Sequence, residues 1–242
     1  MEQRENQVID GRVLIVGAGG LGVPAALSLA RMGLATVGLI DPDPIELSNL
    51  HRQIIYGISD IGTPKAGAAA RKLVELNPGV SAEPIVAALD ESNAREIVAR
   101  YDFVIDATDD PAAKFLINDA CVRAGRAFVY GGVLAMGGQA MTVIPGRTAC
   151  LRCVFEGPPE PGEIASCREA GIIGPVAGLI GLLQADEARR FVLGLEPVLA
   201  GGILTYDATG APRVRVTRIS PRRGCACTAR ASIGWGDAPA RN

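Results

Sequence analysis

The chain has 242 residues, 48% of them hydrophobic, and a formal charge of −2. That length and apolar content suit one domain with a sizeable core, and the charge carries no polybasic signal for nucleic acid or membrane. Met1 to Gln7 does not read as a signal peptide, and the longest apolar stretch, Ile172 to Leu183, is too short to span a bilayer, so a soluble, cytoplasmic protein is expected.

Gly11 to Gly17 predicts strand 1 and Gly20 to Met32 helix 1, joined by the glycines of Val13-Leu-Ile-Val-Gly17-Ala-Gly19-Gly20-Leu-Gly22. A β-branched run breaking into glycines and then into a helical pattern signals a phosphate held at a helix N-terminus. One glycine makes the turn, one lets backbone N–H groups approach an anionic oxygen, and one lets helix and strand pack closely. Ala35 to Ile40 predicts strand 2, ending at Asp41 and Asp43. Ser48 to Gly62 is polar and irregular. Thr63-Pro64 reads as an N-cap with proline at the first helical position, opening a helix to Leu76.

Val80 to Leu89 predicts strand 3, Glu91 to Arg100 a helix, Phe103 to Ala107 strand 4, Pro111 to Ala124 a helix and Ala127 to Tyr130 strand 5. This alternation argues for a Rossmann-like, doubly wound α/β fold with a mainly parallel sheet. Further strands at Gln139 to Ile144, Ile203 to Tyr206 and Arg213 to Ile219 would extend it antiparallel, with a helix from Gly174 to Leu193. A proline-rich loop begins at Gly157 and runs to Ala170. The expected organisation is a single domain over 1–228, with a nucleotide-binding half (8–135), a second half (136–228) and a loose tail (229–242).

Asp41 lies 24 residues after Gly17, where an acid accepts hydrogen bonds from ribose hydroxyls or else caps a turn; the glycines upstream favour the ribose. Asn49, Arg52 and Gln53 follow in a stretch too polar for a core strand. Arg52 offers a planar, permanently charged fork suited to phosphate oxygens. Lys65 starts a helix, against the dipole, which implies an anion nearby. Asp109 and Asp110 close strand 4, where open α/β sheets bind ligands. We assign Asp109 to Mg²⁺ bridging phosphate oxygens and Asp110 to the cap of the following helix. A nicotinamide-dependent oxidoreductase would explain Gly17 to Gly22 and Asp41 but leaves Arg52, Lys65 and Asp109 without a role.

The six cysteines, Cys121, Cys150, Cys153, Cys167, Cys225 and Cys227, point to metal binding or thiol chemistry rather than a disulfide framework. Cys121 lies mid-helix and reads as core. His51, the single histidine, reads as a loop side chain.

Together the glycine turn, Asp41-Pro-Asp43, Ser48-Asn49-Leu-His-Arg52-Gln53, Pro64-Lys65, Thr108-Asp109, Cys150-Leu-Arg-Cys153 and Ser166-Cys167-Arg-Glu-Ala-Gly171 resemble the MoeB/ThiF/HesA family, bacterial relatives of the ubiquitin-activating enzymes. The resemblance runs from Val13 to Cys227. It implies an adenylyltransferase that uses ATP and Mg²⁺ to adenylate the C-terminal glycine of a ubiquitin-like (β-grasp) sulfur-carrier protein ending in Gly-Gly, releasing pyrophosphate. Arg52 and Lys65 would neutralise the triphosphate, Asp109 would bind Mg²⁺, Asp41 would hold the ribose, and Asn49 and Gln53 would line the site.

The resemblance also implies a homodimer, a structural Zn²⁺ on Cys150, Cys153, Cys225 and Cys227, and a separate sulfur donor such as a cysteine desulfurase or rhodanese. Reduced cysteines packed in apolar surroundings are the alternative to zinc. Cys167, beside Arg168, is placed to attack the acyl adenylate or to be a non-essential thiol. Two departures stand out. The second cysteine pair is shortened to Cys225-Ala-Cys227, and the family's arginine-bearing N-terminal arm is represented only by Arg4 ahead of Arg12. A catalytically silent carrier-binding scaffold is therefore a further reading. A tRNA-modifying dehydratase of related fold would need a basic surface that the composition does not announce.

Overall fold

A computed structural model describes residues 8–160 and 171–228. Strand β1 (Ile9–Val16) is buried on both faces, as a central parallel strand must be, so its side chains alternate between two cores. Val13 and Ile15 enter one core with helix α1 (Gly22–Arg31), helix α2 (Lys65–Leu76) and the long helix α6 (Gly174–Val192). Leu14 and Val16 enter the other, with helices α3 (Ala94–Ala99) and α4 (Pro111–Ala124).

Strands β2 (Leu34–Ile40), β3 (Ser81–Ile85), β4 (Phe103–Asp106), β5 (Ala127–Leu134), β6 (Gly137–Val143), β7 (Gly202–Asp207) and β8 (Val214–Arg218) complete an eight-stranded sheet of order β3-β2-β1-β4-β5-β6-β7-β8. From β3 to β5 every pairing is parallel; from β5 to β8 every pairing is antiparallel. The parallel core with an antiparallel extension is the architecture read from the sequence. Helix α5 (Leu151–Val154), which precedes α6 in the second half, is a single turn.

Several boundaries differ from expectation for local reasons. Strand β3 stops at Ile85 because its neighbour β2 ends at Ile40, the residue that pairs with Ile85. Helix α3 starts at Ala94 because Asp90 accepts from the backbone of Ser92 and Asn93 and folds those residues into a turn. Strand β5 continues to Leu134 because β6 folds back on it in a hairpin, pairing Phe128 with Val143 through Leu134 with Gly137. Pro64 is the N-cap of α2 rather than its first helical residue, and Thr63 makes no cap bond; its hydroxyl donates to the Asp60 carbonyl at 2.6 Å. Thr228, the last residue of the expected domain, closes a 3-10 turn by bonding Cys225. The segments 1–7, 161–170 and 229–242, which include Arg4, Ser166, Cys167 and Arg168, lie outside the described residues.

Candidate active site

The chain steps from β1 outward to β2 and β3 and then crosses back over β1 to β4 on its other side, which opens a crevice at the carboxyl ends of these strands. The glycine turn fills its floor. Gly17 has φ +97°, and a Cβ there would lie 2.8 Å from the Ala107 carbonyl, so both the backbone angle and the space require glycine. A Cβ on Gly22 would run into the Gly17 carbonyl, so the helix can start this close to the turn only with glycine. Gly19 and Gly20 face the crevice side, with Gln53 and Arg52 as their nearest side-chain neighbours from the Ser48-to-Gly62 stretch.

Asp41 is 5% exposed and shapes this turn. It accepts from the Ala18 N–H at 2.7 Å and from the Asp43 N–H at 2.9 Å. Burial pushes its carboxyl above the ordinary aspartate range, against the pull of Lys65 and of both N–H groups. Each carboxylate oxygen keeps a second lone pair, so these bonds leave acceptor capacity for hydroxyl groups. Asp41 thus plays the turn-holding role that the sequence left open, without losing the capacity for the other.

Lys65 Nζ pairs with Asp43 Oδ2 at 2.8 Å, and its backbone N–H donates to the Asp43 carbonyl at 2.9 Å. The lysine side chain is 9% exposed and the aspartate 62%, so the cation is fixed by the fold and its counter-ion is free to swing away. Tyr56, absent from the sequence reading, ties these pieces together: its hydroxyl bonds the carbonyls of both Ala18 and Lys65, at 2.9 and 3.1 Å. Arg52 lays its aliphatic stem beside Gly20 and donates to the Ser48 carbonyl at 3.1 Å. Asn49 is buried, with its amide on Ser48 Oγ at 3.3 Å. Gln53 is 3% exposed, and its Oε1 finds no hydrogen-bond partner among the described residues. His51 is exposed in the same turn, as read from the sequence.

On the opposite wall, Asp110 caps α4 by accepting from Ala112 and Ala113, as expected. Asp109 is exposed and makes no hydrogen bond or ion pair among the described residues. Just inside lies a polar group that the sequence reading missed. Asp106 is fully buried and pairs with Lys114 Nζ at 3.3 Å. The lysine also donates to the carbonyls of Thr108 and Gly131 at 2.7 and 2.6 Å. Gln184, from α6 on the other face, donates to the Asp106 carbonyl at 2.7 Å. An Asp and a Lys eight residues apart across a turn carry a signal only once the turn is known to fold that way.

The second half brings four distant cysteines together. The sulfurs of Cys150, Cys153, Cys225 and Cys227 all lie within 4.8 Å of one another, with Cys150–Cys225 at 3.6 Å and Cys153–Cys227 at 3.5 Å. These separations exclude disulfides and match a tetrahedral site, where zinc–sulfur bonds of about 2.3 Å put sulfurs roughly 3.8 Å apart. The short Cys225-Ala-Cys227 spacing is accommodated by the 3-10 turn at Ala226–Thr228. Burial pushes the Cys150 thiol up to about 11. Burial raises Cys153 as well, but the Arg222 and Cys150 backbone bonds and the neighbouring thiols outweigh it and bring that thiol down to about 7. Four cysteine sulfurs from two ends of the second half match the donor set that closed structural Zn²⁺ sites use. Cys121, by contrast, is fully buried in the core and its thiol is pushed far up by desolvation.

Among the described residues no helix is long and apolar enough to cross a membrane. The ThiF family model matches residues 2–229. The chain is 42% identical to the SAMP-activating enzyme E1 of Haloferax volcanii, covering 84% of this chain and 75% of that one. It is 42% identical to the sulfur carrier protein adenylyltransferase of Thermus thermophilus, covering 87% and 80%. It is 41% identical to the adenylyltransferase and sulfurtransferase MOCS3 of Drosophila grimshawi, of whose length it spans only 48%. In fold it resembles E. coli MccB, solved with ATP, at a TM-score of 0.81 and 22% identity, over 91% of this chain and 67% of that one. By the family match and these identities alike, the chain is a member of the ThiF family.

Proposed function

We propose that this protein adenylates the C-terminal glycine of a ubiquitin-like sulfur-carrier protein, using ATP and releasing pyrophosphate. The observation that carries this reading is the convergence, around one glycine turn, of a fixed buried cation, an arginine laid beside the turn and a carboxylate unpartnered among the described residues. These are Lys65, Arg52 and Asp109. Hydride transfer uses none of them, which sets the nicotinamide reading aside.

In this reaction a carboxylate oxygen of the carrier's glycine bonds the α-phosphorus. The bond from that phosphorus to the oxygen bridging the β-phosphate breaks, and pyrophosphate leaves with the electron pair. The attacking carboxylate is already ionised at neutral pH, so no side-chain base is needed. The protein's work is orientation and charge stabilisation. Asp43 swings off Lys65, which leaves the fixed ammonium for the triphosphate, and Arg52 turns its fork from the Ser48 carbonyl to phosphate oxygens. Asp41 accepts from the ribose, while Asn49 and Gln53 fix the nucleotide; the orphaned Gln53 Oε1 is a buried acceptor awaiting a donor. Asp109 would hold Mg²⁺, and the ion would supply charge neutralisation for the phosphates.

The first half (8–135) acts on the nucleotide. The second half (136–228) holds the carrier and is braced by Zn²⁺ on the four cysteines, within a homodimer. Sulfur then comes from a separate donor, a desulfurase or rhodanese. ATP–pyrophosphate exchange with Mg²⁺ and a panel of small carriers ending in Gly-Gly tests this. Exchange that depends on one carrier supports the adenylyltransferase and names its partner. Carrier binding with no exchange would replace it with a binding scaffold.

A further inference from the structure

Beyond β4 the sheet splits: Asp106 pairs with Tyr130, and from there β4 ends while β5 runs on to Leu134. The turn that leaves this split carries Asp109. Asp106 folds the turn on itself, accepting from both the N–H and the hydroxyl of Thr108, at 3.1 and 2.7 Å. Lys114 then reaches back from the first turns of α4. Its ammonium touches both Asp106 oxygens, the Thr108 carbonyl and the Gly131 carbonyl across the split, and it lies 5.1 Å from the Tyr130 ring centre.

An ammonium has three protons, and here four oxygens share them. The side chain is 12% exposed. Unlike Lys65, whose partner is an exposed carboxylate, Lys114 has no donor left for a ligand. What it does fix is a peptide plane. The Thr108 carbonyl belongs to the peptide that joins Thr108 to Asp109, and a planar peptide held at its oxygen is held at its nitrogen too. On the other side Asp110 is locked as the cap of α4. Asp109 is therefore free at its side chain and pinned at both flanking peptides.

We propose that Lys114 is a positioning residue: by strapping the Thr108 carbonyl to β5 it aims Asp109 at the magnesium position, and it binds no phosphate itself. This inference rests on the assignment of Asp109 to magnesium. Groups that orient a metal ligand without touching the metal alter metal affinity by about 10- to 100-fold when removed.

The test is calorimetric titration with ATP, in EDTA and over a series of Mg²⁺ concentrations. Lys114→Met alone strands a buried carboxylate and risks misfolding, so the main variant is Asp106→Asn with Lys114→Met, which removes the ion pair as a unit. In that variant ATP affinity without Mg²⁺ stays within about twofold of wild type, and the Mg²⁺ needed to tighten ATP binding rises about tenfold or more. Lys114→Arg, which keeps the charge and can reach the carbonyls, falls closer to wild type. An unchanged Mg²⁺ requirement in the double variant would overturn the proposal. So would an equal loss of ATP affinity in EDTA, which would make Lys114 a phosphate ligand. Wild-type protein that bound no ATP at all would instead overturn the nucleotide reading on which the proposal stands.

Discussion

The two halves of the sheet use polar residues in opposite ways. Around the glycine turn of the parallel half, three polar groups keep spare capacity: Asp109 is unpartnered among the described residues, Gln53 Oε1 is orphaned, and Lys65 leans on an exposed aspartate. At the cysteine cluster of the antiparallel half and its seam with α4, the polar groups close on one another. Four cysteine sulfurs face inward, Asn118 Oδ1 accepts from the Leu151 N–H at 2.9 Å, and Arg152 forks onto Asp119 at 2.8 Å. Open valence marks a place built to receive a ligand, and saturated valence marks a brace. Substitutions at the open groups around the glycine turn should therefore cost activity with little stability, and those in the cysteine brace the reverse.

The largest effect is expected at Asp109. Because it is exposed and makes no hydrogen bond or ion pair among the described residues, Asp109→Ala should leave the melting temperature near wild type. Mg²⁺-dependent pyrophosphate exchange should fall by at least about 10²-fold, the scale on which removing one aimed electrostatic group acts. Full exchange in this variant would remove the metal assignment. Arg52→Ala and Lys65→Ala come next. Each should slow exchange by about 10- to 100-fold while costing no more than about 1 kcal/mol in stability. For Lys65 the small cost follows because its counter-ion Asp43 is exposed and remains solvated when the lysine is gone. A large drop in stability at Lys65 would erase the contrast between the halves.

Metal removal is the matching experiment in the second half. Protein purified without chelator should contain about one zinc per chain, and Cys227→Ser should lose it. That variant should melt well below wild type while retaining measurable ATP binding at temperatures where it stays folded, because structural zinc contributes folding energy directly. Zinc content near zero would mean that the four thiols pack as buried hydrophobes.

These contrasts also explain what was legible in the sequence. The glycine turn, Asp41, Asp110 and the alternating strands were readable because each is set by neighbours a few residues away: a φ that only glycine takes, a cap two or three residues from its N–H donors, a side-chain period of two. The strand ends were not, because a strand stops where its partner stops, and Ile85 meets the end of β2 far away in the chain. Tyr56, Lys114 and Gln184 stayed hidden for the same reason. Each bonds a backbone carbonyl, which has no residue type to give it away. The cysteines were an intermediate case: their identity announced a cluster, but only the folded chain shows that a one-residue spacer closes as well as a two-residue one.

The smallest predicted effect sharpens the contrast most, because it concerns how the brace is attached. Arg152, between the first two cysteines, forks onto Asp119 of α4, and its guanidinium also covers the Phe115 ring at 5.3 Å. Burial would raise the Asp119 carboxyl, but the bonds from Arg152 and Asn118 outweigh it and hold it below the ordinary aspartate value of 3.8. A carboxyl with a lowered folded-state pKa stabilises the fold above its unfolded pKa and loses that contribution as pH falls through the folded one. Arg152 is 39% exposed, so solvent screening limits the pair to about 0.5–1 kcal/mol. Asp119→Asn should thus lower stability by that amount at pH 7, as measured by urea denaturation. The gap to wild type should shrink below the ordinary aspartate range, where both side chains are neutral. Exchange activity at saturating substrates should not change. A pH-independent gap would mean that Arg152 is held by packing on Phe115 and not by charge, and the Cys150–Cys153 turn would then be fastened to α4 through that packing and Asn118.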